Sequence, residues 1–230
     1  MVVLVTGGAG FIGSHFVRYA LAQGATVLNV DKLCRQGNID NAASLHDHPH
    51  YTFVHADIAD EHLLGKVLRQ HRVRVIVNFA AETHVDRSID KPSVFWQSNI
   101  LASCHLLEAV RDFWLSLPAD ERHKLRFLQI STDEVYGELG ADVEPLKEGS
   151  PYRASSPYAA SKAAIDQCIY AYHKTYRLPV LLLHAVNHYG PRQLPEKLIP
   201  FFIAQALQGH DLPLYGDGKQ LRDWLFVEDG

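Results

Sequence analysis

Cysteine is scarce in this sequence: Cys34, Cys104 and Cys168 are the only three in 230 residues. An odd number at wide spacing excludes a dense disulfide framework and a CxxC metal or redox site, and it fits reduced thiols inside a cell. Each is read as a small, partly buried apolar residue. Charge of one sign is thin as well: 22 Lys+Arg stand against 26 Asp+Glu, a net charge of −4, with no long run of either. Without a basic stripe, neither nucleic acid nor an anionic membrane surface is an expected partner. No apolar stretch approaches the ~18 residues a membrane span needs, and MVVLVTGG carries no basic segment before its short apolar run. A cytoplasmic protein is the expectation. Internal repeats and low-complexity tracts are missing too.

What the chain does have is 47% apolar content, enough for an extensive core. Short β-branched runs alternate with segments of helical period, the pattern of βαβ units around a parallel sheet. VVLVT (2–6), TVLNV (26–30), YTFVH (51–55), VRVIVNFA (73–80), LRFLQIS (125–131) and PVLLLHA (179–185) read as strands. Helices are expected over about 11–23, 60–71, 92–115 and 157–177. The fold class is therefore α/β, a doubly wound parallel sheet of Rossmann type in which every strand is buried on both faces. The irregular stretch 132–156 is a working loop or a lid. Beyond residue 191 the texture shifts to a short helix (196–208), a Pro/Gly-rich stretch and RDWLFVEDG. The expected organisation is a dinucleotide-binding domain over 1–190 and the start of a small C-terminal substrate lobe over 191–230. FVED reads as a strand end leading into a helix start, so a longer parent protein is expected.

TGGAGFIG sets Gly7, Gly10 and Gly13 after the first strand and into the first helix. That context is what a pyrophosphate site requires: small residues admit the phosphates close to backbone, and a helix N-terminus offers N–H groups. Asp31, ending the second strand, can accept both hydroxyls of an adenosine ribose and would repel a 2′-phosphate, which favours NAD. Lys32 beside it works slightly against that preference. Asp57 and Ile58, after the third strand, are placed to border the adenine. SSPYAASKAA puts Tyr158 and Lys162 one helical turn apart on one face. A tyrosine with a reference pKa near ~10 becomes a usable base when an ammonium and a cationic nicotinamide favour its phenolate. ISTDEVYG then delivers Thr132, Asp133 and Glu134 to the ligand end of a parallel strand. Oxidising a hydroxyl needs no carboxylate pair, whereas removing a C–H proton beside a ketone and expelling a β-hydroxyl needs a base and an acid. HDHPH gathers His46, His48 and His50, but the spacing matches no helix or finger ligand pattern; a surface turn is expected and no metal site.

These motifs resemble those of the dTDP-glucose 4,6-dehydratases, a family of extended short-chain dehydrogenases/reductases. The resemblance runs through TGGAGFIG, VDKL, HADI, AAETHVDRSI, ISTDEVYG, SSPYAASKAA, PEKLIP and RDWLFVED, and the TDEVYG and HVDRSI segments are its most specific parts. It implies that Phe11, Ile12, Asp31, Lys32, Leu33, Cys34, Asp57, Ile58, Phe79, Ala80, Ala81, Glu82, Thr83 and Ser98 line NAD, with His188 near the nicotinamide. Thr83, Thr132, Asn187, Lys197, Leu198, Pro213, Leu214, Tyr215 and Arg222 are implied to hold the sugar nucleotide. Lys197 and Arg222 suit a diphosphate and Tyr215 a nucleoside. The implied chemistry is C4 oxidation with Tyr158 as base, loss of water with Glu134 as base and Asp133 as acid, then hydride return to C6. The aromatic-rich helix bearing Phe95, Trp96, Phe113 and Trp114 is either core or packs against a second subunit as in the family, and a homodimer is the expectation. The chain departs from the family's pattern at Cys34, Arg35 and Gln36, and at Val186 and His188. Two other readings stand beside this one: a fragment that binds NAD without turning over, and another nucleotide-sugar reaction such as 4-epimerisation.

Overall fold

The computed structural model describes residues 1–34, 39–138, 144–214 and 216–230. They form two compact units, Met1–His184 and Ala185–Gly230, so the division falls at 184/185 where the sequence put it at 190/191. In the first unit the strands are β1 (Val2–Thr6), β2 (Thr26–Asp31), β3 (Tyr51–His55), β4 (Val75–Asn78), β5 (Arg126–Thr132) and β6 (Val180–Ala185). They build a 6-stranded sheet in the order β3-β2-β1-β4-β5-β6. The pairings β1 with β2 and β4, β2 with β3, and β4 with β5 are parallel. This is a Rossmann fold, with its order reversing between β1 and β4, where such sheets open a ligand crevice at the strands' carboxyl ends.

Helices cover both faces. They are α1 (Phe11–Ala22), α2 (Ile39–Ala43), α3 (Glu61–Gln70), α4 (Val85–Asp90), α5 (Pro92–Phe95), α6 (Ala102–Ser116), α7 (Ala119–Arg122) and α8 (Pro157–Tyr176), with α9 (Leu198–Leu207) in the second unit. Alternation along β1 explains the two-sided core: Val3 and Val5 pack with Val17 and Leu21 of α1. Leu4 points the other way, into a cluster with Leu64 and Leu68 of α3, Leu106 and Val110 of α6, and Ile165 and Ile169 of α8. None of the described helices is long and apolar enough to cross a membrane.

Two details differ from the sequence reading. Burial on both faces holds for the inner strands but not for β3, where Thr52 and His55 are exposed, or for β6, where half-buried and exposed positions alternate over Val180–Leu183. They lie at the sheet's ends, where helices cover less of each face; Leu181 and Leu183 are accordingly exposed. The helix expected over 92–115 is interrupted by a π-helical turn, Trp96–Leu101, between α5 and α6, and such turns re-aim side chains near functional sites.

The sheet's carboxyl end also carries a row of buried polar groups that follows directly from register. Thr6, Asn78 and Gln129 are paired neighbours on β1, β4 and β5. The Thr6 hydroxyl donates to Asn78 Oδ1 at 2.5 Å and Asn78 Nδ2 donates to Gln129 Oε1 at 2.7 Å. Each side chain finds its partner one strand away, so the row is buried at little cost.

Candidate active site

The turn after β1 is held by backbone contacts. Gly7 has φ +70°; its N–H donates to Val30 O at 2.9 Å, and Gly10 N–H donates to Gly7 O at 3.0 Å. A Cβ on Gly7 would lie 2.6 Å from Ala80 N, and one on Gly13 would lie 3.0 Å from Gly8 Cα. Three backbone segments therefore touch where side chains would keep them apart. Gly10 caps α1 with no side-chain hydrogen bond, and no acidic residue stands in the first turn. The helix start, at Phe11, Ile12 and Gly13, thus has the features of an anion site.

Asp31 is buried beside this turn, its Oδ2 accepting from Ala9 N at 3.0 Å and its Oδ1 from Leu33 N at 2.8 Å. Asn41 donates to Ala9 O at 3.0 Å and braces the same loop; the sequence reading missed it. Lys32 and Asp57 pair with each other at 3.1 Å, so the lysine charge that counted against NAD is partly offset by this carboxylate. Ile58 is 5% exposed and packs in the core with Leu64 and Leu68. Phe79 packs against Phe16, with ring centroids 5.4 Å apart and the rings tilted by 45°. Cys34, Ala81, Thr83 and Ser98 are half-buried. Arg35 and Gln36 lie outside the described residues.

At the end of β5 the chain turns at once into a 3-10 turn, Asp133–Tyr136. Thr132 caps it: its Oγ1 accepts from Glu134 N and donates to Asp133 Oδ1, each at 3.2 Å. The cap fixes the Asp133 carboxylate and the backbone of Glu134 relative to the strand. Opposite them, α8 begins with Ser156 as its cap, accepting from Ala159 N at 3.1 Å, and with Pro157 in the first turn. Tyr158 and Lys162 follow, both buried. Tyr158 N–H donates to Ser88 Oγ at 3.1 Å and its ring meets Phe95 edge-on.

The electrostatics differ from the sequence expectation. Burial pushes the Tyr158 phenol up; the charge of Glu134 adds to this, as do Asp133 and Asp166, while a hydrogen bond with Thr132 works against them. Burial pulls Lys162 down to about 8, with Asp166 opposing. The Lys162 amine donates to Ile130 O at 2.6 Å and is not among the groups that shift Tyr158. In the protein alone the carboxylates and burial keep the phenol protonated; the adjacent ammonium does not offset them.

A buried amide joins the segments. Asn99, on the π-helical turn, accepts from Glu82 N at 2.8 Å, and its Nδ2 donates to Glu82 O at 3.0 Å and to Ser161 Oγ at 2.9 Å. Ser161 in turn donates to Tyr158 O at 2.7 Å. Asn99 was not singled out in the sequence; its only signal was a polar residue within an apolar helical stretch.

The second unit carries the remaining candidates. Asn187 and His188 lie on a short strand, Asn187–Tyr189, paired in parallel with Trp224–Phe226. His188 Nδ1 sits 2.8 Å from Val186 O. Lys197 occupies the cap position of α9 and Leu198 its first turn. Pro213, Leu214 and Arg222 are exposed, and Tyr215 lies outside the described residues.

Comparison with known proteins fits this arrangement. The GDP-mannose 4,6 dehydratase family model matches residues 4–230. The dTDP-glucose 4,6-dehydratase of Xanthomonas campestris pv. campestris (strain B100) is 53% identical over 226 residues, covering 98% of this chain and 64% of the relative. The chain thus spans about two thirds of that protein's length. Among solved structures, DesIV, the dTDP-glucose 4,6-dehydratase of Streptomyces venezuelae with NAD and TYD bound, is 46% identical with a TM-score of 0.90, covering 99% of this chain and 69% of that one. UDP-glucose 4-epimerase of Thermotoga maritima, solved with UDP-glucose, is 30% identical with a TM-score of 0.86, covering 99% and 70%. The chain belongs to the GDP-mannose 4,6 dehydratase family, on the side of its dTDP-glucose 4,6-dehydratases.

Proposed function

We propose that this chain carries the NAD-binding and catalytic portion of an enzyme that converts dTDP-glucose to dTDP-4-keto-6-deoxyglucose. The observation that carries the reading is the pair Asp133 and Glu134, capped by Thr132 and acting electrostatically on the Tyr158 phenol. The glycine cradle of Gly7 and Gly13, closed to any Cβ, fits a dinucleotide pyrophosphate, and the oriented Asp31 carboxylate fits its ribose. NAD, when bound, supplies a hydride acceptor at C4 and a hydride donor at C6, and its cationic ring lowers the cost of a phenolate. Tyr158 takes the C4 hydroxyl proton. Glu134 takes the C5 proton, acidified by the new ketone, and Asp133 gives a proton to the departing C6 hydroxyl; as hydride reaches C6 a proton returns to C5. Lys162 holds the nicotinamide ribose and Thr132 orients the sugar. Ala185–Gly230 contributes Asn187, Lys197 and Arg222 to the sugar nucleotide. We further infer a cytoplasmic location and a homodimer; the exposed Trp96, Leu101, Tyr170 and Tyr176 support the second, whereas Phe95 and Phe113 of the aromatic-rich helix are buried in the core.

Incubation with dTDP-glucose and NAD tests the reading: a keto sugar lighter by one water is the expected product. An isomer of unchanged mass would favour 4-epimerisation, which the likeness to the Thermotoga maritima enzyme keeps in view. No turnover with NAD retained would mean a binding fragment. Replacing Glu134 by Gln is expected to slow water loss about a hundredfold while C4 oxidation persists, seen as NADH absorbance that forms and decays correspondingly more slowly. Undiminished dehydration in that variant would remove Glu134 from its role.

A further inference from the structure

Behind the groups given roles above lies a buried carboxylate, Asp166, one turn beyond Lys162 on α8 and 1% exposed. Its Oδ2 accepts from Ser131 Oγ at 2.6 Å and from the Tyr152 hydroxyl at 3.4 Å, and His184 Nε2 lies 3.2 Å away. Its Oδ1 is buried with no hydrogen-bond partner among the described residues. An unsatisfied carboxylate oxygen in a protein interior is strongly unfavourable unless a positive charge compensates it.

The groups that face the cluster are few. Strand β5 contributes Ser131, β6 contributes His184, and the segment before α8 contributes Tyr152, whose hydroxyl is 2.9 Å from His184 Nε2. The 3-10 turn contributes Tyr136, 3.3 Å from His184 Nδ1, with Glu148 acting on it from outside. From α8 itself come Lys162 and Tyr158, the latter also under the charges of Asp133 and Glu134. Lys162 is the one side chain of this set that is ordinarily cationic at neutral pH, and it is itself buried. Its amine is bonded to Ile130 O, and Asp166 is bonded to Ser131, the next residue. Two consecutive residues of β5 are thereby tied to one face of α8, directly before Thr132.

We propose that Asp166 is a positioning residue, its carboxylate keeping the buried Lys162 side chain charged and fastening the end of β5, with Thr132, Asp133 and Glu134, to the helix that carries Tyr158. The role in turnover rests on the function proposed above. Burial alone would drive Lys162 towards its neutral form, and Asp166 is the charge that acts the other way. An amide in its place leaves burial unopposed, so Lys162 loses its proton at lower pH.

The test is a pH titration of the Lys162 ε-methylene by NMR in the whole chain, beside steady-state kinetics. Asp166→Asn is expected to move the Lys162 midpoint clearly below its wild-type position. It should also shift the alkaline limb of kcat to lower pH and reduce kcat at neutral pH by about tenfold, with KM little changed. Asp166→Glu, which keeps the charge, is expected to restore the midpoint. Ser131→Ala, which removes a tie but no charge, should leave the midpoint in place while lowering kcat. The smaller Asp166→Ser, read in the same way, covers the case in which the amide variant does not fold. An unmoved midpoint in the uncharged variants, or an equal shift in Ser131→Ala, overturns the proposal. The titration needs no turnover, so a chain that fails to dehydrate dTDP-glucose refutes the functional reading and still leaves the pairing of Asp166 with Lys162 decided.

Discussion

Tyr158→Phe is expected to lower turnover of dTDP-glucose about a thousandfold, the middle of the range for removing a single general base, while NAD binding and folding persist. The ring is what packs: it meets Phe95 edge-on and is 8% exposed, and phenylalanine keeps all of that. The lost hydroxyl gives up one hydrogen bond, to Thr132, so stability should change by no more than about 1 kcal/mol. Catalysis has no substitute at hand. Burial holds the phenol protonated and the neighbouring carboxylates add to it, while Lys162 has its amine turned to Ile130 O. Rapid mixing with NAD and dTDP-glucose should show that NADH formation itself, the first chemical step, is what slows. A variant within tenfold of wild type would mean that another group takes the C4 proton.

Gly7→Ala should destabilise the fold by about 2–4 kcal/mol, adding the cost of a left-handed alanine to that of overpacking, and should abolish measurable NAD binding. The new methyl carbon would meet Ala80 N at 2.6 Å and Phe79 C at 2.9 Å. Both are backbone atoms of the segment leaving β4, which cannot swing aside as a side chain could. Either β1 and β4 separate at their carboxyl ends or the turn is rebuilt, and in both cases the start of α1 moves. Gly24 is the internal control. It shares the positive φ, at +76°, but has nothing within 4 Å of a Cβ, so Gly24→Ala should cost only about 1 kcal/mol. Urea denaturation compares the pair directly. Equal losses would show that conformation, and not the close approach to Ala80, sets the price at Gly7.

Most of the sheet was legible in the sequence because its inner strands are buried on both sides and so are written as unbroken apolar runs, VVLVT being the plainest. One outer strand was misjudged for the same reason. PVLLLHA reads as an unbroken run like the inner strands, although it lies at one end of the sheet order; YTFVH does carry a signal, in Thr52 and His55, which are its exposed positions. The π-helical turn is silent as well, since one turn of different pitch barely disturbs a helical pattern over 92–115. At the site, Thr132, Asp133, Glu134, Tyr158 and Lys162 could be found because motif and strand end coincide. Asn99, Ser88, Ser131 and Asp166 could not. Their partners are distant in sequence, and a buried Asp or Asn reads on its helix like any solvated polar residue until the packing is known.

The pair of hydrogen bonds between Asn99 and the backbone of Glu82 couples loop and helix when the molecule opens. A side-chain amide here does what a neighbouring strand would do, pairing both the N–H and the carbonyl of one loop residue, and it anchors that residue through Ser161 to α8. Loop and helix then belong to one cooperative unit of local unfolding. In amide hydrogen exchange the Glu82 proton should be released on the slow timescale of α8, and Asn99→Ala should uncouple the two, so that the loop exchanges fast while the helix does not.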